Sequence, residues 1–200
     1  MELHEVVRRR HMVRSFAPTP IADDVLTRVL TAATRAPAAG NTSAVDLVVL
    51  RGAAETSRYW DATLAPEKRP GFRWPGLLDA PVLVVPCVRP EAYVERYGEP
   101  DKARTGLGAG QDRWAVPYWH VDGGMATMLV LLAAADEGLG ALFFGIFDHE
   151  PAVRVAFGIP ADVQPLGTIA LGHPTGADEP GRSAARARRP LEEVIHHGSW

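Results

Sequence analysis

Seven consecutive positions, 8–14, hold four arginines (Arg8, Arg9, Arg10 and Arg14) in a chain whose formal net charge is −3. Two chemistries fit such a cluster. One is a solvated charge run or a set of intramolecular salt bridges. The other is an anion site, because guanidinium groups take a phosphate bidentately. At 3.6 residues per turn, Arg8, Arg9 and Arg10 fan out by about 100° each and cannot face one way. Arg10 follows Leu3 by seven positions and Val7 by three, so it falls on the apolar stripe of a short helix. A guanidinium on that side needs an anion or a dense shell of hydrogen bonds. If the turn continues, Arg14 stands beside Arg10, and the two repel unless something negative lies between them. Spacing alone leaves both readings open.

Three aromatic residues, Trp114, Tyr118 and Trp119, gather just before an apolar helix. They are either loop anchors or an aromatic wall for flat, electron-poor substrates, which Trp60, Phe72 and Trp74 join from another loop. Asp122 reads as a first-turn acid that complements the helix dipole. His120 and Asp122 are two positions apart, which is not one face of a helix, and no H-x-x-x-H or Cys/His cluster occurs. Metal catalysis is therefore not expected. The stretch Gly106–Gly110 (GLGAG) has glycines but no strand before it and no helix after it, so it reads as loop flexibility rather than a dinucleotide loop. No G-x-S-x-G elbow is present, which argues against a serine hydrolase.

The totals bound the rest. Two hundred residues, 46% apolar and 22% charged, suit one domain, 1–200, with a real core. The mildly acidic balance argues against nucleic acid as a partner. The single cysteine, Cys87, cannot form an internal disulfide and lies in an apolar run suited to packing, so a reducing, cytoplasmic setting is expected. The start of the chain is charged and lacks the apolar core of a signal peptide. The longest mostly apolar stretch, 123–135, is too short to span a bilayer.

The elements that must position these residues follow from periodicity. Residues 2–11 predict a short amphipathic helix with Leu3, Val6 and Val7 inward, and Val25, Leu26, Val29, Leu30 and Ala33 mark a second one. Residues 45–50 (VDLVVL) and 81–88 (PVLVVPCV) predict strands, the latter apolar enough for burial on both faces, with Pro86 marking a weak point or a bulge. A helix is expected between them, around 53–62. Segments 63–76 and 98–118, rich in Gly, Pro, Trp and charge, read as long loops or lids. Residues 120–137 predict a helix apolar on nearly every side, hence central and buried, and capped by Gly138. Strands at 140–146 and 165–172 flank a short helix at 149–157, and a polar, Arg-rich tail runs from 175 to 190 before 191–195 closes the chain. Helices first, then strands separated by helices, is an α+β pattern.

Taken in order, RHMVRSF (10–16), RAPAAGN (35–41), WHVDGGMATMLVLLAAADEGLGALFFGI (119–146), GIPADVQPLGTIALGHP (158–174) and RARRPLEEVIH (186–196) resemble the FMN-dependent nitroreductase family. The resemblance implies a central, mostly antiparallel sheet flanked by helices, and a homodimer that exchanges C-terminal segments. It implies two FMN molecules at the interface and ping-pong hydride transfer from NAD(P)H through flavin N5 to a small-molecule acceptor. Relatives of other kinds dehydrogenate, dehalogenate or cleave flavin, and a non-catalytic flavin-binding or storage role is the alternative from another class. On this resemblance Arg10, His11, Met12 and Arg14 match the first FMN-binding segment, with Met12 where many members carry serine. Pro37, Ala38, Ala39 and Asn41 match the segment that packs on the flavin from the other subunit, with Ala38 in place of the usual serine. Gly145 and Ile146 match the pair whose backbone lies beside N5, where many relatives carry two glycines. Arg186 and Arg188 match two basic positions that reach the phosphate. No protein side chain is implied as a catalyst, since the flavin carries the chemistry.

Overall fold

A computed structural model of the protein describes residues 1–179 and 181–200. Every residue of Val82–Val88 is buried, and this run forms strand β3 at the heart of the sheet. β3 pairs antiparallel with β2 (Val45–Arg51) in an unbroken register from Val45↔Val88 to Arg51↔Val82. Its other edge is shared by two strands. Residues Val82–Val84 pair with β6 (Thr168–Pro174), and Cys87–Val88 pair with the two-residue β5 (Gln164–Pro165). Pro86 stands at the break between them, where a missing N–H costs the ladder least, and its carbonyl accepts the Leu166 N–H at 2.9 Å. The register with β2 carries through Leu47↔Pro86 without a bulge. β6 also pairs with β4 (Gly140–Phe144) and, at its end, with β1 (Phe16–Ala17), all antiparallel.

Strand alternation divides the side chains between two cores. Leu83, Val85, Cys87, Leu142 and Ala170 pack with Tyr59 and Trp60 of α3 (Gly52–Thr63) and Val153 of α6 (Glu150–Phe157). Val82, Val84, Ile169 and Leu171 pack on the other face with Leu26 and Val29 of α2 (Asp23–Thr31) and with α5 (Tyr118–Asp136). The result is the expected α+β layering of an antiparallel sheet between helices.

α5 buries Trp119, Asp122, Gly123, Ala126, Thr127, Val130, Leu131 and Ala134, one face at helical spacing. Gly123 lets it settle on the sheet, since a Cβ there would stand 2.3 Å from Leu166 Cδ1 and 2.8 Å from Val88 Cγ1. It ends as its sequence predicts: Gly138 is left-handed (φ 74°), and Leu139 N–H returns to Ala134 O at 2.8 Å. Its opposite face departs from expectation. Tyr118, Val121 and Met128 are 44%, 40% and 45% exposed, so the helix that reads as apolar all round is covered on one side only.

α1 (Leu3–Arg9) also differs from its predicted stripe: Val6 is buried, while Leu3 and Val7 face outward. The segment Pro90–Gly98 forms a further helix, α4, which buries Tyr93 and Val94. The two long loop regions are built from short 3₁₀ turns at Pro66–Gly71 and Pro75–Leu77 in the first and at Ala103–Thr105, Leu107–Ala109 and Gln111–Arg113 in the second. No helix among the described residues is long and apolar enough to cross a membrane.

Candidate active site

Helix α1 ends at Arg9, two residues earlier than spacing predicts. Arg10 caps it with extended angles (φ −55°, ψ 120°), so Arg10 and Arg14 do not share a helix face. The cause is a tertiary contact. Val13 N–H bonds to Ala141 O at 3.0 Å, Met12 bridges to Ala141, and residues after Arg10 are drawn out along the start of β4. Gly140 admits this approach, since a Cβ on it would stand 2.9 Å from Val13 Cγ1.

The arginines then take separate roles. Arg10 is half-buried, and its Nη1 is closed off from water with no acceptor among the described residues. It shares a cavity of about 270 Å³ with Arg9, His11 and the Gly138–Ala141 turn. His11 is exposed, with Nδ1 2.9 Å from Arg9 O. Arg14 Nη1 donates to Met12 O at 3.1 Å, and its guanidinium carbon lies 5.4 Å from the Trp74 ring centre. The tail is stitched alongside: Asp178 accepts the Arg14 N–H at 2.5 Å, and the Thr175 and Ser15 hydroxyls meet at 2.7 Å. Arg186 and Arg188 lie farther along the tail, both exposed.

Arg14 reaches a second cavity of about 410 Å³, where it meets Gly145 and Ile146. Trp60, Phe72, Trp74 and Phe144 make its flat walls, with Trp60 and Phe144 stacked at 6.0 Å and 8°. Gly145 carries the ring of Phe147 against its α-carbon, since an added Cβ would lie 2.5 Å from Phe147 Cζ. Arg14 and the consecutive pair Gly145–Ile146, far apart in sequence, thus come together here.

The remaining sequence candidates form another group. Residues 37–41 make a turn in which Gly40 and Asn41 are left-handed (φ 62° and 57°), followed by Ser43 at 51°. Two anchors hold this strained backbone. Asp122 Oδ2 accepts the Ala39 N–H at 2.7 Å and the Tyr93 hydroxyl at 2.9 Å, and Arg96 Nε donates to Gly40 O at 2.9 Å. Arg96 also forks onto Asp101 at 2.7 and 2.8 Å, which ties the turn to the 98–118 loop. Asp122 is therefore no dipole-capping acid: it is 1% exposed and works as a hydrogen-bond anchor in the second turn of α5. Burial, and then the neighbouring carboxylate, push the Tyr93 hydroxyl well above the usual tyrosine range. Pro37 and Asn41 are exposed, and Ala38 and Ala39 half-exposed.

Ala39, Tyr97, Leu107, Arg113, Trp114 and Tyr118 line a cleft of about 530 Å³. Trp114 and Trp119 are both buried against Tyr93, with ring centres 6.0 and 6.1 Å away. Trp114 Nε1 also pins Leu107 O at 3.1 Å. Trp119 is absent from the cleft lining and belongs to the core, so the expected wall shrinks to Trp114 and Tyr118. None of the cavities described joins this group to the one around Arg14. Sequence reasoning misses Asp122, Tyr93 and Arg96 as anchors; an isolated carboxylate in an otherwise apolar helix is the available signal.

The profile of the Nitroreductase family matches residues 7–173. The chain belongs to the nitroreductase family. A relative from Methanothermobacter thermautotrophicus, named "Putative NADH dehydrogenase/NAD(P)H nitroreductase", is 25% identical over 185 residues, 90% of this chain and 81% of its own length. Among solved structures, a nitroreductase family protein from Streptococcus pneumoniae superposes with a TM-score of 0.73 at 20% identity, covering 98% of this chain and all of that one. A "putative nitroreductase in complex with FMN" from Desulfovibrio desulfuricans superposes at 0.71 with 21% identity, covering 100% and 98%. The family and the fold agree, and the nitroreductase-like architecture expected from the sequence is the one observed.

Proposed function

We propose that this family member is an FMN-dependent oxidoreductase, passing hydride from NADH or NADPH to an electron-poor organic acceptor of nitroaromatic, quinone or enone type. The observation that carries this reading is the 410 Å³ cavity in which Arg14, Gly145 and Ile146 converge between aromatic walls. The residues present fit the cofactor. A buried guanidinium nitrogen on Arg10 lacks an acceptor, as a phosphate site requires. Arg10 and His11, with Arg186 and Arg188 from the tail, would hold the phosphate. Met12 supplies backbone contact only. Arg14 would stand at the ring, and the Gly145–Ile146 backbone would lie beside its reactive edge.

Bound flavin supplies the hydride chemistry, and the chain orients it and shapes its electrostatics. Arg14 places a positive charge beside the cavity, which favours the electron-rich reduced state. The aromatic walls exclude water and admit flat molecules. No side chain is needed for hydride transfer itself, and solvent protonates the product.

We infer that the working unit is a homodimer. Pro37, Ala38, Ala39 and Asn41, with the Trp114–Tyr118 cleft, form a group apart from Arg14 and Gly145, and a second subunit would bring the two groups together. The open apolar face of α5 supports this, as do Leu191, Val194 and Ile195, which the tail leaves 69%, 54% and 46% exposed.

The test is an anaerobic visible spectrum of the purified protein with FMN, before and after addition of NADH or NADPH. A flavin band that bleaches supports the oxidoreductase. Bound flavin that stays oxidised with both donors favours a carrier or storage role, and a folded protein that takes up no FMN refutes the reading.

A further inference from the structure

Four buried side-chain nitrogens or oxygens lack a partner among the described residues, and two of them, Trp60 Nε1 and Trp74 Nε1, belong to the wall of the same 410 Å³ cavity. A buried donor without an acceptor is costly, and native proteins rarely keep one without a reason. Phenylalanine in either position would supply the flat surface without the orphan. Trp60 is 6% exposed and is held in place by Tyr59 and Phe144, with ring centres at 5.2 and 6.0 Å. Trp74 is flanked by two guanidinium groups, Arg14 at 5.4 Å and Arg73 at 5.1 Å from its ring centre. That end of the cavity therefore favours oxygen atoms that carry negative charge. Most of the remaining lining, Leu142, Phe144 and Ile146 among it, is apolar, and Tyr59, Thr63 and His149 are its polar members.

We propose that this cavity seats a flat conjugated ring bearing carbonyl- or nitro-type oxygens, and that the indole N–H groups of Trp60 and Trp74 donate to those oxygens. Both nitrogens are shut off from water, so seating the ring requires the wall to part. The side that can yield is 64–78, a segment of 3₁₀ turns outside the sheet, which carries Phe72 and Trp74. The ring belongs either to the flavin or to the acceptor, and in the first case the assignment rests on the function proposed above.

The experiment compares Trp60→Phe and Trp74→Phe with the unmodified protein. Each keeps an aromatic wall and deletes one N–H. Dissociation constants are measured for FMN and, on flavin-free protein, for 1,4-naphthoquinone, with naphthalene as the ring without oxygens. One hydrogen bond corresponds to roughly a 3- to 10-fold change in Kd. The expected result is that much weakening for one of the oxygen-bearing probes, no change for naphthalene, and a Tm that holds or rises because an orphan donor is gone. Weakening for FMN assigns the donors to the cofactor ring, and weakening for naphthoquinone alone assigns them to the acceptor. Unchanged Kd for both probes in both variants overturns the proposal. So does a lower Tm with unchanged binding, which would mean the N–H groups have a structural partner. If the unmodified protein takes up no FMN, the flavin reading fails, while the naphthoquinone and naphthalene arms still decide the role of the indoles.

Discussion

Replacing Asp122 tests whether the 37–41 turn is held by one carboxylate. Its Oδ2 is the shared acceptor for the Ala39 N–H at 2.7 Å and the Tyr93 hydroxyl at 2.9 Å, in a site 1% exposed. A hydrogen bond to a charged group is worth about 1.5–3 kcal/mol, and a donor left buried without one costs about 1–3 kcal/mol. Asp122→Ala removes the acceptor from two donors at once and should destabilise the fold by about 3–5 kcal/mol. Left-handed backbone at Asn41 and Ser43, each strained by roughly 1 kcal/mol or more, limits the loss, because the freed turn can relax. Tyr93→Phe deletes one of the two bonds and should cost about 1.5–3 kcal/mol. Made on top of Asp122→Ala, the same change should cost less than about 1 kcal/mol, since its partner is already gone, which gives a coupling energy of about 1.5 kcal/mol. Equilibrium urea unfolding of the four proteins, followed by far-UV circular dichroism, measures all of these. Equal costs of Tyr93→Phe in both backgrounds would show that the two side chains are not coupled, and the clamp would fall. Asp122→Asn, which keeps an acceptor oxygen but not the charge, should fall between the parent and Asp122→Ala.

Three further outcomes follow from the same geometry. Arg10→Gln should weaken FMN binding by about 10- to 100-fold, the loss of charge-assisted bonds to a phosphate, with little change in Tm; equilibrium dialysis with FMN reads it. Val121→Glu, on the open face of α5, should alter the stability of a single chain by no more than about 0.5 kcal/mol, yet halve the mass seen by light scattering if that face joins two subunits. Burial pushes the Tyr59 hydroxyl up to about 12, against the lowering effect of its bond to Thr168. Its raised folded pKa means that the unfolded chain gives up this proton first. The contribution is complete below about pH 10 and is lost as pH rises toward 12, by about 1 kcal/mol per unit. Tyr59→Phe should flatten that alkaline loss in unfolding curves taken from pH 9 to 12.

Where composition and local geometry act together, the sequence is informative. The apolar run Val82–Val88 is buried on both faces because its side chains alternate between two cores, and Gly138 ends α5 because only a left-handed residue lets the chain turn back to Ala134. The elements it hides are those whose existence depends on distant partners. β1 and β5 have two residues each and are strands only because β6 and β3 accept them. α4 carries few apolar residues, and Tyr93 earns its burial through Asp122 and the neighbouring tryptophans rather than through a long stripe. Arg10 departs from its predicted helix face for the same reason. Nothing local stops α1 at Arg9, and the pull comes from Ala141, far away in the chain.

The candidate site divides along the same line. Residue types leave an arginine-lined anion site open, the family resemblance adds the Gly145–Ile146 pair, and Arg14 lines the same cavity as that pair. The strain at Asn41 and Ser43 and the carboxylate beneath the turn arise from packing between the turn, α4 and α5, which no short motif encodes. α5 joins the two cases. A helix apolar on every side must be covered on every side, and its own chain, through the sheet, α1, α2 and the 32–35 turn, covers one side of it. Tyr118, Val121 and Met128 remain open along the other side, and the tail likewise exposes Leu191, Val194 and Ile195. The apolar pattern that predicts a buried helix thus describes a helix whose outer face its own chain leaves open. On the homodimer proposed above, a second copy would bring together the Arg14 cavity and the 37–41 turn, which none of the described cavities joins within one chain.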